Sequence, residues 1–379
     1  MPAWLKIVAA SGMLVAGTFL AGVPAGFVAL PLVRIPPPSG AWAIGTVTLP
    51  LPAEEGASTA RIWYPASPGT RGRRARYTDG AMTFRNRVRG GIVTVDAFVA
   101  APVAPGRFPI VFYVPGWSGA RENNTAQAEN LASNGYVVVA LDDADPQPPM
   151  DFTTQAALDS AVAAANRKLD AAVREIERVT QLLDVLDAAP NGRFTGRLDT
   201  RHIGVLGFSF GGAVAAEAAR RDPRIGAAID LDGWLFGEAL RDGVPRPFMI
   251  LGTAYDTPTA AVRDASPAAR ELLRDFDRDN DVRTLAGLRR FGGLIVTIDG
   301  TDHNNFSDAA WLPTFHHRGL GPIDGRRGWS IAATAILQFF DRSLRGRPAP
   351  FFEPGARRDG AVRVRSFASG DALAKPPFR

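Results

Sequence analysis

Cysteine is absent from this chain of 379 residues, and histidine occurs at only four positions. The absence of cysteine excludes disulfide bonds, thiolate metal sites and a cysteine nucleophile. A metal site built from several histidines is not expected either, because so few are available. We therefore expect no metal site of these kinds, and the mechanism predicted below needs no cofactor.

Internal repeats and a dense basic stripe are also missing from the sequence. The first absence argues against a solenoid or a propeller. The net charge is +5, but the basic residues are spread along the chain, apart from small clusters at Arg71–Arg76 and Arg357–Arg358. No nucleic-acid-binding motif accompanies these clusters, so we interpret them as solvated loops and expect no nucleic-acid partner.

A long apolar run lies near the N-terminus. Ile7–Val33 contains no charged residue and is longer than the ~20 residues that cross a bilayer. We interpret it as an uncleaved membrane anchor in the form of an apolar helix; a cleaved signal peptide, which would give a secreted protein, is the alternative. Both interpretations place the following domain outside the cytoplasm. The prolines of residues 34–40 prevent a helix and predict a stiff tether.

From residue 41 onward, strand-like and helix-like segments alternate, which predicts an α/β fold. Several strand candidates, such as Pro109–Val114 and Tyr136–Leu141, are almost entirely apolar. Strands that are buried on both faces have this composition. We therefore expect a mostly parallel central sheet with helices on both faces.

The segments that carry this prediction are as follows. The strand candidates are Gly45–Leu49, Ala60–Tyr64, Pro109–Val114, Tyr136–Leu141, His202–Gly207, Ile225–Leu231, Pro247–Leu251 and Gly293–Ile298. The helix candidates are Asn124–Ser133, Thr154–Leu186, Ala213–Arg220 and Ser330–Leu344. Three parts are expected, namely residues 1–40 as anchor and tether, 41–345 as the catalytic domain and 346–379 as a C-terminal tail.

The most informative run follows the strand candidate His202–Gly207. It reads G-x-S-x-G around Ser209 and continues into an alanine-rich helix. Strand, sharp turn and helix in this order form the nucleophile elbow of the α/β-hydrolase fold. The residues two positions from the serine must be small, and Gly207 and Gly211 meet this requirement. We therefore predict Ser209 as the nucleophile, beside a helix N-terminus that favours developing negative charge.

A serine hydroxyl needs a base to accept its proton, and in this fold the triad follows the order serine, acid, histidine. His202 precedes the serine, so we interpret it as a structural or surface residue. His303 follows the last strong strand, Gly293–Ile298, in the kind of loop where catalytic groups collect. His316 and His317 lie near no strand end. We therefore predict His303 as the base.

Two aspartates compete for the role of the acid. Asp232 ends the strand after the elbow strand, and Asp256 follows the next strand. Asp230 lies two positions before Asp232 within the strand and is a weaker candidate. Spacing alone leaves Asp232 and Asp256 level.

Three blocks of this chain resemble the platelet-activating-factor acetylhydrolases of the plasma and type II group. They are Gly207–Gly212, Leu231–Trp234 and His303–Asp308, and the patterns of that family read G-H-S-F-G-G, L-D-A-W and H-Q-N-F-A-D. Arg61–Pro65 also looks like an early strand of the family. The likeness covers roughly residues 45–345. Polyester-hydrolase-like serine esterases are related, as are dienelactone hydrolases, which use the cysteine that this chain lacks.

The resemblance implies that Asp232 is the acid, whereas polyester-degrading serine hydrolases place theirs where Asp256 lies. It also implies that the loop with Trp117 occupies the oxyanion-loop position of the family. The backbone N–H groups of Trp117 and Phe210 then form the oxyanion hole, in agreement with the general rule for the fold.

Two departures make the site more apolar than in that family, since Phe208 and Pro115 replace histidines. The function implied is a serine carboxylic ester hydrolase with an acyl-enzyme intermediate, acting on short-acyl phospholipids or other lipid esters. One alternative is a polyester hydrolase or a general carboxylesterase with Asp256 as the acid. Another is a membrane-tethered binding protein without activity. The expected partners are a small-molecule ester or lipid substrate and, through the N-terminal segment, a membrane.

Overall fold

The computed structural model describes residues 33–51, 58–79, 93–143, 150–253, 265–312 and 319–369. The strands in these ranges are β1 (Val33–Arg34), β2 (Ala43–Leu51), β3 (Ser58–Ala66), β4 (Val93–Thr94), β5 (Phe98–Val99), β6 (Phe108–Val114), β7 (Val137–Ala140), β8 (Leu198–Phe208), β9 (Ile225–Leu231), β10 (Phe248–Thr253), β11 (Gly293–Ile298) and β12 (Val362–Phe367). The helices are α1 (Thr125–Ser133), α2 (Gln155–Ala188), α3 (Phe210–Arg221), α4 (Gly237–Asp242), α5 (Pro267–Phe291) and α6 (Gly325–Arg345).

One sheet organises the described part of the chain, and it contains ten strands in the order β12-β11-β10-β9-β8-β6-β7-β3-β2-β5. All neighbouring strands from β11 to β7 are parallel. Antiparallel pairs occur towards the two ends, where β12 joins β11 and β3 lies between β7 and β2. The predicted α/β fold with a mostly parallel central sheet is therefore confirmed.

The central strands are buried on both faces. Every residue of β6 is buried, and successive side chains point to opposite sides of the sheet. Ile110 and Phe112 therefore contact one apolar core, while Val111 and Tyr113 contact the other. A strand in this position needs apolar residues at consecutive positions, which is the pattern seen in the sequence.

Helices cover both cores. Helices α2, α3, α4 and α5 pack on the first face, where Leu169 and Val214 are fully buried. Helices α1 and α6 pack on the second face, through residues such as Leu131 and Phe340. The three layers leave the carboxyl ends of the parallel strands at one edge, where β8, β9 and β11 each end in a loop or turn.

Every predicted strand and helix is present, with ends that differ by a few residues. The short helix α4 was not expected, and neither was the long helix α5. Its sequence is rich in charge, and its buried residues are few: Ala269, Asn280, Leu285 and Leu288. Apolar periodicity therefore gives a weak signal. The start of the helix is nevertheless marked, because Pro267 is its first residue and the Ser266 side chain accepts a hydrogen bond from the Ala269 N–H group.

The segment after residue 345 contributes to the sheet. Strand β12 pairs with the whole length of β11, and Phe367 is buried in the first core. Its alternating Val362-Arg363-Val364-Arg365 pattern is typical of a strand with one solvated face. The boundary between a domain at 41–345 and a tail at 346–379 stays a prediction, but the sheet itself does not end at residue 345.

The predicted apolar anchor lies almost entirely outside the described residues, which begin at Val33. Its helical structure and its membrane contact therefore stay predictions. Among the helices of the described ranges, none combines the length and the apolar character needed to cross a bilayer.

The burial of Phe367 predicts that β12 stabilises the domain. Phe367→Ala should lower the free energy of unfolding by about 3 kcal/mol, because it leaves a cavity beneath the sheet edge. Chemical denaturation measures this change. Ser366→Ala, at the exposed neighbouring position, is the matched control and should be close to neutral. Equal stability of the two variants would mean that β12 does not contribute to the stability of the domain.

Candidate active site

Ser209 occupies a sharp turn between β8 and α3. Its backbone has φ 56° and ψ −123°, in the left-handed region that residues other than glycine seldom adopt. The turn is held by two backbone hydrogen bonds: the Ser209 N–H group donates to the Leu231 carbonyl oxygen at 2.8 Å, and the Ser209 carbonyl oxygen accepts from Gly212 at 2.8 Å. This is the geometry of the predicted nucleophile elbow.

Glycines around the serine allow three backbone segments to meet. A Cβ atom on Gly207 would overlap the carbonyl oxygen of Gly211, and one on Gly211 would overlap the carbonyl oxygen of Val114. A Cβ on Gly116 would lie 3.0 Å from the Cβ of Ser209. The loop after β6 therefore passes directly beside the serine, in contact with the start of α3.

His303 and Asp232 meet at the same edge of the sheet. The His303 Nδ1 atom lies 2.7 Å from Asp232 Oδ2, and the His303 ring lies 4.8 Å, centroid to centroid, from the ring of Phe208. Since Phe208 immediately precedes Ser209, the imidazole lies beside the elbow. The His303 side chain is 39% exposed and that of Asp232 is 17% exposed, so the pair is open to solvent on the histidine side.

The Asp232 carboxylate is oriented by its turn and by the neighbouring strand β10. Asp232 has φ +58°, which turns the chain sharply at the end of β9. Its N–H group donates to the Leu251 carbonyl oxygen at 3.0 Å. The Thr253 N–H group donates to Oδ1 at 2.9 Å. With Oδ1 held by β10, Oδ2 is directed at His303.

Asp230 lies beneath the elbow and is fully buried. Its Oδ1 atom accepts a hydrogen bond from the Gly233 N–H group at 3.0 Å and occupies the space that a side chain on Gly212 would need. Burial, together with the nearby charge of Asp232, raises the pKa of Asp230 well above its ordinary value. The raised pKa favours the protonated form of Asp230, and the hydrogen bond to Gly233 makes this residue a support of the turn rather than a partner of His303.

The two predicted oxyanion-hole residues are in contact. The rings of Trp117 and Phe210 are 4.8 Å apart in an edge-to-face arrangement. Phe210 is the first residue of α3, and the N–H groups of a first helical turn have no intrahelical partner. The loop of Trp117 passes beside Ser209 at Gly116, so both predicted donors belong to segments that adjoin the serine.

An aromatic cluster extends from these rings. Phe210 contacts Phe236, Phe236 contacts Phe276, and the rings of Trp234 and Phe152 complete the cluster, with centroid distances between 5.1 and 6.3 Å. The indole N–H group of Trp234 donates to Asp277 of α5 at 2.7 Å. Helix α5, which the sequence did not predict, therefore supplies part of the apolar surroundings of the site.

The loop that carries His303 is tied to helix α1 by Asp308. This buried carboxyl group accepts hydrogen bonds from the Thr125 N–H group at 2.7 Å, the Ala126 N–H group at 3.2 Å and the Tyr77 hydroxyl group at 3.0 Å. The sequence gives Asp308 no role beyond being the last residue of the block His303–Asp308. Its position at the N-terminus of α1 follows from tertiary contacts that no local pattern encodes.

The remaining candidates are His202 and three residues that the structure does not describe. His202 is on the exposed part of β8, where its Nδ1 atom lies 2.8 Å from Asp199, as expected of a surface residue. Asp256, His316 and His317 fall outside the described residues. In the described ranges, no group of three or more histidine or carboxylate side chains is arranged to hold a metal ion.

Comparison with known proteins gives consistent relatives. Residues 99–287 match the family model described as PET hydrolase-like. Cutinase est2 of Thermobifida alba is 30% identical over 164 residues, which make up 43% of this chain and 47% of the relative. A probable 1-alkyl-2-acetylglycerophosphocholine esterase of Arthroderma benhamiae is 28% identical over 261 residues, covering 63% of this chain and 61% of the relative.

A solved structure extends the likeness to most of the fold. A ferulic acid esterase from Streptomyces cinnamoneus superposes with a TM-score of 0.61 at 26% identity, over 88% of this chain and 99% of the other. The chain spans about half the length of the cutinase and terephthalate-ester hydrolase relatives. Mammalian platelet-activating-factor acetylhydrolases are also among its relatives. The predicted resemblance to that group and to polyester-type esterases is confirmed, and these relatives are α/β serine esterases that hydrolyse carboxylic esters.

The buried Asp308 predicts a pH-dependent stability. Burial raises the pKa of Asp308 to about 8, from an ordinary value of 3.8. The folded state then keeps a proton that the unfolded state releases, so the free energy of unfolding falls as the pH rises from about 4 to about 8. The slope for one such group is about 1.4 kcal/mol per pH unit. Denaturation at a series of pH values should show this fall.

Asp308→Asn should make the fall less steep, because the amide carries no titrating proton. Some slope should remain, since burial also raises the pKa of Glu129, to about 7. Asp275→Asn, at a side chain that is 58% exposed, is the control and should keep the full slope. A variant at 308 with an unchanged slope would contradict the protonated, buried carboxyl group.

Proposed function

We propose that this chain, in which residues 99–287 carry the PET hydrolase-like region, is a serine carboxylic ester hydrolase with Ser209, His303 and Asp232 as its triad. The observation that carries the proposal is the 2.7 Å contact between His303 Nδ1 and Asp232 Oδ2. It occurs beside a serine with the backbone of a nucleophile elbow. The ester-hydrolysing relatives support the same conclusion.

The contact determines which nitrogen of His303 carries a proton and which one acts as the base. The His303 Nδ1–H group donates to Asp232, which leaves Nε2 unprotonated and available as the base. Ser209 Oγ attacks the ester carbonyl carbon while Nε2 takes its proton. Collapse of the tetrahedral intermediate breaks the bond to the alcohol oxygen, and the imidazolium returns the proton to that alcohol. Water, activated in the same way, releases the acid from the acyl-enzyme.

The oxyanion of each tetrahedral intermediate needs fixed N–H donors. The backbone N–H groups of Phe210, at the start of α3, and of Trp117 are assigned this role. The aligned peptide dipoles of α3 add positive potential at the same end. Loss of one such donor costs roughly 3 to 4 kcal/mol of transition-state stabilisation in comparable enzymes.

The substrate we propose is an apolar, uncharged ester, with a short-acyl phospholipid or a related lipid ester as the leading class. The relative named as a 1-alkyl-2-acetylglycerophosphocholine esterase supports this class. The half-buried aromatic rings of Trp117 and Trp234 support a site that accepts apolar groups. A polyester or an aromatic ester is the alternative substrate, favoured by the cutinase and ferulic acid esterase relatives.

Replacement of the nucleophile tests the activity itself. The unmodified protein should hydrolyse p-nitrophenyl acetate and butyrate. Ser209→Ala should lower kcat at least ~10³-fold, because the substitution removes the attacking hydroxyl group. Release of p-nitrophenol gives the rate, and circular dichroism verifies that the variant is folded. A fluorophosphonate probe should label the unmodified protein and not Ser209→Ala. Absence of both turnover and labelling in the unmodified protein would support a silent binding protein instead.

The two aspartates can be separated by one pair of variants. Asp232→Asn should lower kcat by about 10⁴-fold, because the amide donates a hydrogen bond to Nδ1 and so stabilises the wrong imidazole tautomer. Asp256→Asn should keep kcat within about twofold of the unmodified protein. The reverse ranking of the two variants would assign the acid to Asp256, as in the polyester-hydrolase alternative.

A further inference from the structure

The turn that carries Trp117 is tight and contains an unfavourable backbone conformation. The Gly119 N–H group donates to the Gly116 carbonyl oxygen at 2.8 Å, and Ser118 has φ +53°. A residue other than glycine keeps such a conformation only when the surrounding structure holds it there. The question is which groups hold this turn.

Asp143, three residues after the end of β7, contacts the turn at two successive residues. Its Oδ2 atom accepts a hydrogen bond from the Ser118 N–H group at 2.5 Å. Its own N–H group donates to the Gly119 carbonyl oxygen at 3.1 Å. Both residues that follow Trp117 are therefore bound to the same aspartate.

Lys168 of helix α2 completes the arrangement from the other side. Its Nζ atom lies 2.5 Å from Asp143 Oδ1, and the two side chains are only 3% and 12% exposed. The same ammonium group lies 5.2 Å from the centroid of the Trp117 ring and 5.9 Å from that of Phe210. These distances are within the range of cation–π attraction.

We propose that Lys168 and Asp143 are positioning residues that hold the Trp117 turn and the start of helix α3 in the arrangement needed for the oxyanion hole. This inference rests on the proposed function, because it assigns a role within that site. One ammonium group contacts the carboxylate that binds the turn. It also lies over the rings of Trp117 and Phe210, the two residues whose amides are proposed as the oxyanion donors. The role assigned to both residues is to position these groups and not to take part in the chemistry.

The buried Lys168 is not explained by a gain in folding stability. Removing an ammonium group and a carboxylate from water costs about as much free energy as their attraction returns, so a buried ion pair adds little to folding. It does require a particular geometry, because each charge is stable only while its partner stays in place. Here that geometry is transmitted to the turn through the Ser118 N–H group.

The effect should appear in catalysis more than in substrate binding. Oxyanion donors act on charge that develops in the transition state, so misplaced donors lower kcat and leave KM nearly unchanged. A displacement of about 1 Å can lower a rate about 100-fold. We therefore expect a 10- to 100-fold loss of kcat when the pair is broken.

The experiment compares Lys168→Met and Asp143→Asn with the unmodified protein, using p-nitrophenyl butyrate as the substrate. The rate is expressed per active site titrated with a fluorophosphonate, so that misfolded molecules are not counted. Both variants should lose about 10- to 100-fold in kcat per titrated site, with KM changed less than threefold. Arg167→Met, at the exposed neighbouring position of α2, is the control and should retain full activity.

The double variant Lys168→Met/Asp143→Asn removes both charges and leaves none unpaired. Its kcat should fall as far as that of the single variants and no further, because both residues act through one interaction. Phenylboronic acid, which forms a tetrahedral adduct with the serine, should bind each variant more weakly by the same factor as kcat/KM falls. A structural role alone would reduce the number of titrated sites and leave kcat per site unchanged.

The outcomes separate this inference from the proposed function. Full turnover in Ser209→Ala would overturn the proposed function and this inference with it. If Ser209→Ala is inactive but Lys168→Met keeps the kcat per site of the unmodified protein, only the positioning role is overturned. Losses in the double variant that multiply those of the single variants would show that the two residues do not act as a pair.

Discussion

Backbone clearance around Ser209 is the constraint on which the candidate site depends. The serine adopts a left-handed conformation, and the segments that meet it approach so closely that a side chain on Gly207 or Gly211 would overlap a neighbouring carbonyl group. The glycines therefore serve the packing of the strand, the helix and the loop of Trp117 as well as the turn itself. The closeness also brings the N-terminus of α3 to the place where negative charge is proposed to develop.

Several buried or nearly buried ionisable groups of the described residues lie near that site, and each is held in a defined place. Asp230 lies beneath the elbow, where burial raises its pKa. Lys168 and Asp143 form an ion pair behind the oxyanion loop. Asp308 caps α1 and fixes the loop of His303. Polar groups in a low-dielectric interior are favourable only in a defined arrangement, so together they restrict the geometry of the site.

The sequence predicted the sheet and the elbow because their signals are local. The apolar strands and the G-x-S-x-G turn follow from residues within a few positions of one another, and Asp232 was found through a resemblance rather than through spacing. Helix α5 was missed because its few buried residues give weak periodicity. Lys168 and Asp308 could not have been identified, since a lysine in an amphipathic helix and an aspartate in a loop are ordinarily solvated. Their contacts come from distant parts of the chain.

The turns at Ser209 and Asp232 share a feature with a geometric consequence. Each has a positive φ, and each donates its N–H group to the last residues of the next strand, Ser209 to Leu231 and Asp232 to Leu251. The two turns therefore lie at the ends of neighbouring strands, and their offset is set by the spacing of those strands, about 4.8 Å. Surface loops can change in length or sequence without altering that spacing. Changes in these loops can therefore alter the surroundings of Ser209 and Asp232 while the separation of the two residues stays constant.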